Sequence, residues 1–204
     1  MASRFAGLAL AAFAVAIMLA GAAPAVADSL LKPDRPLVKL VTTEGDIVIQ
    51  LYPEHAPKSV HNFLRYVRDG FYDGTIFHRV DKRFAIQGGG FTRDLEKKNT
   101  WGPIPCESDN GLENKEYTVA MARTGDPDSA TSQFFINTQD NPSLDRKGSD
   151  PSEAGYAVFG RVVQGESVVD RIEKVAVWSK GSFKDLPVRP VVIEKARVVS
   201  SLSD

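Results

Sequence analysis

From Leu37 to Ser200 the chain breaks repeatedly into short runs rich in Val, Ile, Phe and Thr, separated by turn residues. Only two stretches carry helical spacing. The first runs, within Leu37–Pro53, form a hairpin around Thr43-Glu44-Gly45-Asp46. Val38, Leu40 and Thr42 share one parity, and Ile47, Ile49 and Leu51 make a second apolar stripe. Further strands are expected at Thr75–Val80, Phe84–Gln87, Thr118–Ala122, Gln133–Ile136, Tyr156–Val162 and Pro190–Ser200. In Ala56–Gly70, Val60, Phe63, Leu64 and Val67 recur at helical spacing, with Pro57 suited to the first turn and Gly70 to the position after the end. Glu166–Val175 offers a second, shorter helix through Val169 and Ile172. Many short strands with two helices point to a mainly β fold, a closed β-barrel with helices against its ends.

The chain has 204 residues, 43% of them hydrophobic and 25% charged, enough for one sizeable core in one domain. A formal net charge of -1 gives no basis for general binding to nucleic acid. Cys106 is the only cysteine, so the core alone must hold the fold. His55, His61 and His78 lack metal-ligand spacing, and no metal site is expected.

Arg4 is followed by an apolar run, Leu8–Ala23, and by Ala25-Val26-Ala27. A basic start, an apolar stretch and a small-residue site are the pattern of a cleaved secretory signal, here residues 1–27, leaving 28–204 as one domain. An uncleaved membrane anchor is the alternative, since the run is near the short limit for a span. Cleavage leaves no stable membrane association, and the expected location is the periplasm.

Five blocks occur in order: "FHRV" (Phe77–Val80), "FAIQGG" (Phe84–Gly89), "VAMAR" (Val119–Arg123), "SQFFI" (Ser132–Ile136) and "YAVFGRVV" (Tyr156–Val163). Together they resemble the cyclophilin family of peptidyl-prolyl cis-trans isomerases, and the likeness is greatest to the secreted bacterial members. The resemblance implies an eight-stranded antiparallel barrel capped by two helices. It implies proline-containing polypeptides as substrates, no cofactor and a monomer.

The chemistry of that reaction suits these residue types. Rotation about a peptide C–N bond faces a barrier of about 18–20 kcal/mol because conjugation must be broken. In the twisted state the prolyl nitrogen becomes pyramidal and its lone pair can accept a hydrogen bond. A fixed guanidinium that donates there binds the twisted state better than the planar one, which is catalysis without a covalent step. By resemblance, Arg79 is that donor. Gln87 and the backbone near Ala122 and Arg123 hold the substrate main chain, and Phe84, Phe135, Leu144 and Tyr156 form the proline pocket. Gln133 orders Arg79 or a bound carbonyl, and the glycines after Gln87 bring the chain past the groove without side-chain obstruction.

Three positions depart from the family pattern. Ala85 stands where methionine is frequent, which widens or flattens the pocket floor. Ser143 stands where many eukaryotic members have tryptophan, and Tyr156 where many have histidine. Loss of that indole predicts weak cyclosporin binding or none. Taken singly, Arg79 is a surface ion-pair residue, Phe84 and Phe135 are core, and Gln87 is a satisfied amide. Three functions stay open on the sequence: an active isomerase, a module of the same fold that holds Pro-containing segments without useful turnover, and an unrelated small-ligand barrel, which would need an empty interior.

Overall fold

The computed structural model describes Met1 and residues 35–204, so the expected signal segment falls, Met1 apart, outside the described residues. Its strands are β1 (Leu37–Thr42), β2 (Gly45–Leu51), β3 (Thr75–Asp81), β4 (Ala85–Thr92), β5 (Thr118–Met121), β6 (Phe134–Asn137), β7 (Val158–Gln164), β8 (Val177–Lys180), β9 (Phe183–Pro187) and β10 (Val191–Val199). Helix α1 spans Pro57–Arg68 and α2 spans Glu166–Glu173. Eight strands close a barrel in the order β1-β10-β3-β4-β6-β5-β7-β2, every neighbouring pair antiparallel. The expected fold is the one observed.

The hairpin forms as its alternation requires. Leu37 pairs with Gln50 and Thr42 with Gly45, which places Val38, Leu40, Ile47, Ile49 and Leu51 in the core, all without exposure. The turn is tighter than the expected four residues. Thr42 Oγ1 donates to the Gly45 carbonyl at 2.6 Å and accepts from the Glu44 amide at 3.1 Å.

Helix α1 buries Val60, Phe63, Leu64 and Val67, and its start is capped from a distant loop. The Glu107 carboxylate accepts the amides of Lys58 and Ser59 at 2.9 and 2.8 Å, placing negative charge where the helix exposes unpaired N–H groups. Helix α2 buries Val168, Val169 and Ile172.

Aromatic rings fill the barrel. Phe63 lies edge-on to Phe134 at 5.4 Å and tilted against Phe159 at 5.1 Å; Tyr72 meets Phe134 at 5.6 Å. A packed interior rules out the small-ligand carrier, which needs empty space there.

Two elements differ from expectation. Strand β4 runs on through Gly88–Gly90 to Thr92, because pairing with β3 (Phe77 with Gly88, Thr75 with Thr92) carries glycines that have little strand preference of their own. The β8–β9 hairpin was not expected at all. Its residues are mostly exposed, with Leu186 and Pro187 its only buried ones, so the sequence shows no apolar alternation there.

Candidate active site

The groove lies on the outer face of the sheet, and strand register builds it. In β4, Ile86 points into the main core while Ala85 and Gln87 face the other way. Gln87 pairs with Arg79 on one side and with Phe135 on the other, and Phe135 pairs in turn with Ala120. A bulge at His78 shifts the β3 register between Phe77 and Arg79. This lets Phe77 stay in the core while Arg79 joins the groove.

Ala85, Ala120, Phe135 and Val158 form a second apolar cluster, separate from the barrel interior, with Phe84, Ala122, Leu144 and Tyr156 packed on it. These side chains enclose a cavity of about 220 Å³ lined by Arg79, Phe84, Ala85, Gln87, Ala122, Arg123, Phe135, Leu144 and Tyr156. Tyr156 stands edge-on to Phe135 at 5.6 Å. The Arg79 guanidinium lies 5.6 Å from the centre of the Phe84 ring.

The wall is held from behind by buried asparagines. Asn141 Nδ2 donates to the Phe84 carbonyl and to Asn137 Oδ1, both at 2.8 Å. Asn137 Nδ2 donates to Thr118 Oγ1 at 2.9 Å, and Asn114 donates through its amide and side chain to Asp145 at 2.7 and 3.0 Å. The Leu144 amide donates to Asn141 O, and the Tyr156 amide to Leu144 O, each at 2.9 Å. The long turn-rich loop after β6 is therefore an ordered wall that carries Leu144 into the pocket.

A family model described as cyclophilin type peptidyl-prolyl cis-trans isomerase/CLD matches residues 37–198. The chain is a member of the cyclophilin family. It is 57% identical over 162 residues to a peptidyl-prolyl cis-trans isomerase of Streptomyces antibioticus, covering 79% of this chain and 98% of that protein. It is 49% identical over 162 residues to peptidyl-prolyl cis-trans isomerase B of Escherichia coli, covering 79% and 99%. Among solved structures, a Cryptosporidium parvum cyclophilin determined in the presence of the dipeptide Ala-Pro shares the fold, with a TM-score of 0.66, 24% identity, and 80% and 98% of the two chains covered.

Nine of the ten site residues expected from the cyclophilin motifs line the one cavity. Gln133 sits beside it, in an adjoining cavity with Gln87, Ala122, Arg123, Lys97 and Lys98. Gln133 is expected to order Arg79 or a bound carbonyl; among the described residues it makes no hydrogen bond to Arg79, and its Oε1 accepts from Gln87 Nε2 at 2.9 Å. Arg79 is ion-paired with two carboxylates, of which only Asp81 accepts a hydrogen bond from it. Asp81 takes Nη2 at 2.6 Å, and Asp185 lies 3.8 Å from Nε. Arg79 is thus both the ion-pair residue it would be in isolation and a groove residue. Neither acid was singled out from the sequence. Asp185 belongs to the hairpin that lacked a strand signal, and only Asp81, two residues after Arg79, could have been found by strand parity.

Arg123 is tied down by its own neighbours, donating from Nε to Gly155 O at 2.9 Å and lying 4.7 Å above the Tyr156 ring. Ser143 does not line that cavity; it lines a neighbouring one that also includes Arg123 and Tyr156. Gly90 needs its lack of a side chain, since a Cβ would come within 2.6 Å of Gln133. His78, next to Arg79, packs edge-on against Phe91 at 4.8 Å. Burial pushes its imidazole down to about 4, and the Arg79 charge adds to this.

Proposed function

We propose that the cavity on the outer face of β4, β5 and β6 receives a prolyl ring and that Arg79 accelerates rotation of the preceding peptide bond. The observation that carries this is the meeting of the Arg79 guanidinium with a cavity walled by Phe84, Phe135, Leu144 and Tyr156. Phe84, Phe135, Leu144 and Tyr156 hold the ring fixed, and the Gln87 side chain and the backbone at Ala122 and Arg123 hold the flanking chain. One side of the X-Pro bond then turns while the other stays. The nitrogen lone pair freed by the turn meets an N–H of Arg79, which remains protonated throughout and so acts as a donor and not as an acid. Because that bond exists only in the twisted state, it lowers the barrier without tightening substrate binding.

Proline-containing polypeptides that cross the inner membrane are the substrates this reading favours, with the protein periplasmic, monomeric and processed near Asp28. Arg4, the apolar run and Ala25-Val26-Ala27 support it. Turnover of a short Ala-Pro peptide tests the catalytic part. Arg79→Ala should cut kcat/KM by about 100-fold, the loss of one oriented donor, in a folded protein. Undiminished turnover would remove Arg79 from the mechanism.

A further inference from the structure

The Arg79 guanidinium has two acidic neighbours from different elements. Asp81 is two residues along β3, on the same face as Arg79, and pairs with Ala85 at the pocket floor. Asp185 comes from β9, which packs along β3. Its backbone is left-handed, with φ +54. That conformation suits Gly and Asn best, and Asp tolerates it. Here it carries a carboxylate to within 3.8 Å of Arg79 Nε. Among the described residues no acceptor is bonded to Nη1, while Nη2 is taken by Asp81.

We infer that Asp81 and Asp185 are positioning residues, a clamp that fixes the Arg79 guanidinium from two sides and leaves its Nη1 edge for the substrate. The inference rests on the assignment of Arg79 as the donor. An arginine side chain has many rotamers to lose on being ordered, and the Arg79 side chain is 38% exposed, so packing alone does not hold it. A donor that must meet a lone pair in one orientation gains from being held before substrate arrives. Both carboxylates are themselves 36–43% exposed, so the pairs add little to fold stability. The clamp therefore has a distinctive signature: its loss changes turnover while the fold and peptide affinity stay as they were.

The test is a thermodynamic cycle. Asp81→Asn, Asp185→Asn and the double variant are made in the wild type and in Arg79→Ala, and kcat and KM are measured by NMR exchange on an Ala-Pro peptide. Asparagine keeps the shape of each side chain and accepts the left-handed backbone at 185. Asp81→Asn should lower kcat about threefold to tenfold, as loss of a hydrogen bond to a charged partner does. Asp185→Asn, at longer range, should lower it about twofold. KM should stay within about twofold, Tm within about 2 °C, and Asp81→Glu should restore part of kcat. In the Arg79→Ala background neither substitution should lower kcat further. Unchanged or raised kcat in the double variant, or an equal loss without Arg79, overturns the clamp. If Arg79→Ala abolishes turnover while both asparagine variants are neutral, the clamp alone falls. If Arg79→Ala is itself silent, the assignment of the donor falls first.

Discussion

At the residue scale, the site depends on where single groups are denied water or space. His78 is buried in an aromatic setting, so its imidazole is held down to about 4. An unfolded histidine titrates near 6.5. Between these values the unfolded chain binds a proton that the folded chain does not. The histidine therefore costs no stability above 6.5, and the protein loses stability as pH falls from there toward 4, by about 3 kcal/mol in all. His78→Phe keeps a ring beside Phe91 and should flatten the dependence of urea unfolding free energy on pH in that window; an unchanged slope would place its origin elsewhere. Ser143 gives a second residue-scale expectation. It offers no indole ring or N–H to a cyclic peptide inhibitor, so cyclosporin should inhibit peptide turnover weakly, with Ser143→Trp recovering up to about 100-fold in affinity. Tight inhibition of the wild type would show that another residue supplies that wall.

At the element scale, register decides the site, and register is what the sequence shows least. Alternation in Leu37–Leu51 and the spacing of Val60, Phe63, Leu64 and Val67 made the hairpin and α1 legible, because the positions that enter the main core carry apolar residues at a regular period. The blocks around Arg79, Gln87 and Phe135 named the pocket residues, but only the pairing of β3, β4 and β6 brings them side by side. The β8–β9 hairpin stayed hidden because burial never imprinted a period on it, and with it went Asp185. The asparagine network was hidden for a different reason. Asn114, Asn137 and Asn141 lie in turn-rich sequence, where polar residues are expected in any case. Its test is Asn137→Ala, which strips partners from the Asn141 and Thr118 side chains in a buried setting. It should destabilise the protein by about 3 kcal/mol in urea titration, and it should raise KM as Phe84 and Leu144 lose their backing. Wild-type stability in that variant would mean the network is not what holds the wall.

At the scale of the whole molecule, a barrel closed around aromatic rings leaves the proposed site to its outer face, against a second, smaller apolar cluster. With one cysteine in the sequence, the fold rests on that packed interior. Thiol reductants should leave the unfolding midpoint unchanged, and a large shift would reveal a bridge between chains through Cys106. N-terminal sequencing of protein recovered from the periplasm should find a start at or near Asp28; recovery of residues 4–20 in the mature chain would contradict processing. The central claim is that the groove turns the X-Pro bond and that Arg79 lowers the barrier in addition to any part in holding the chain. It is tested most directly by two-dimensional NMR exchange on an Ala-Pro peptide titrated with wild type and with Arg79→Ala. The account predicts cis–trans exchange peaks with wild type, an exchange rate lowered about 100-fold with the variant at the same concentration, and the same concentration-dependent peptide shifts with both. An undiminished exchange rate in the folded variant, or peptide shifts that vanish with it, would contradict the account.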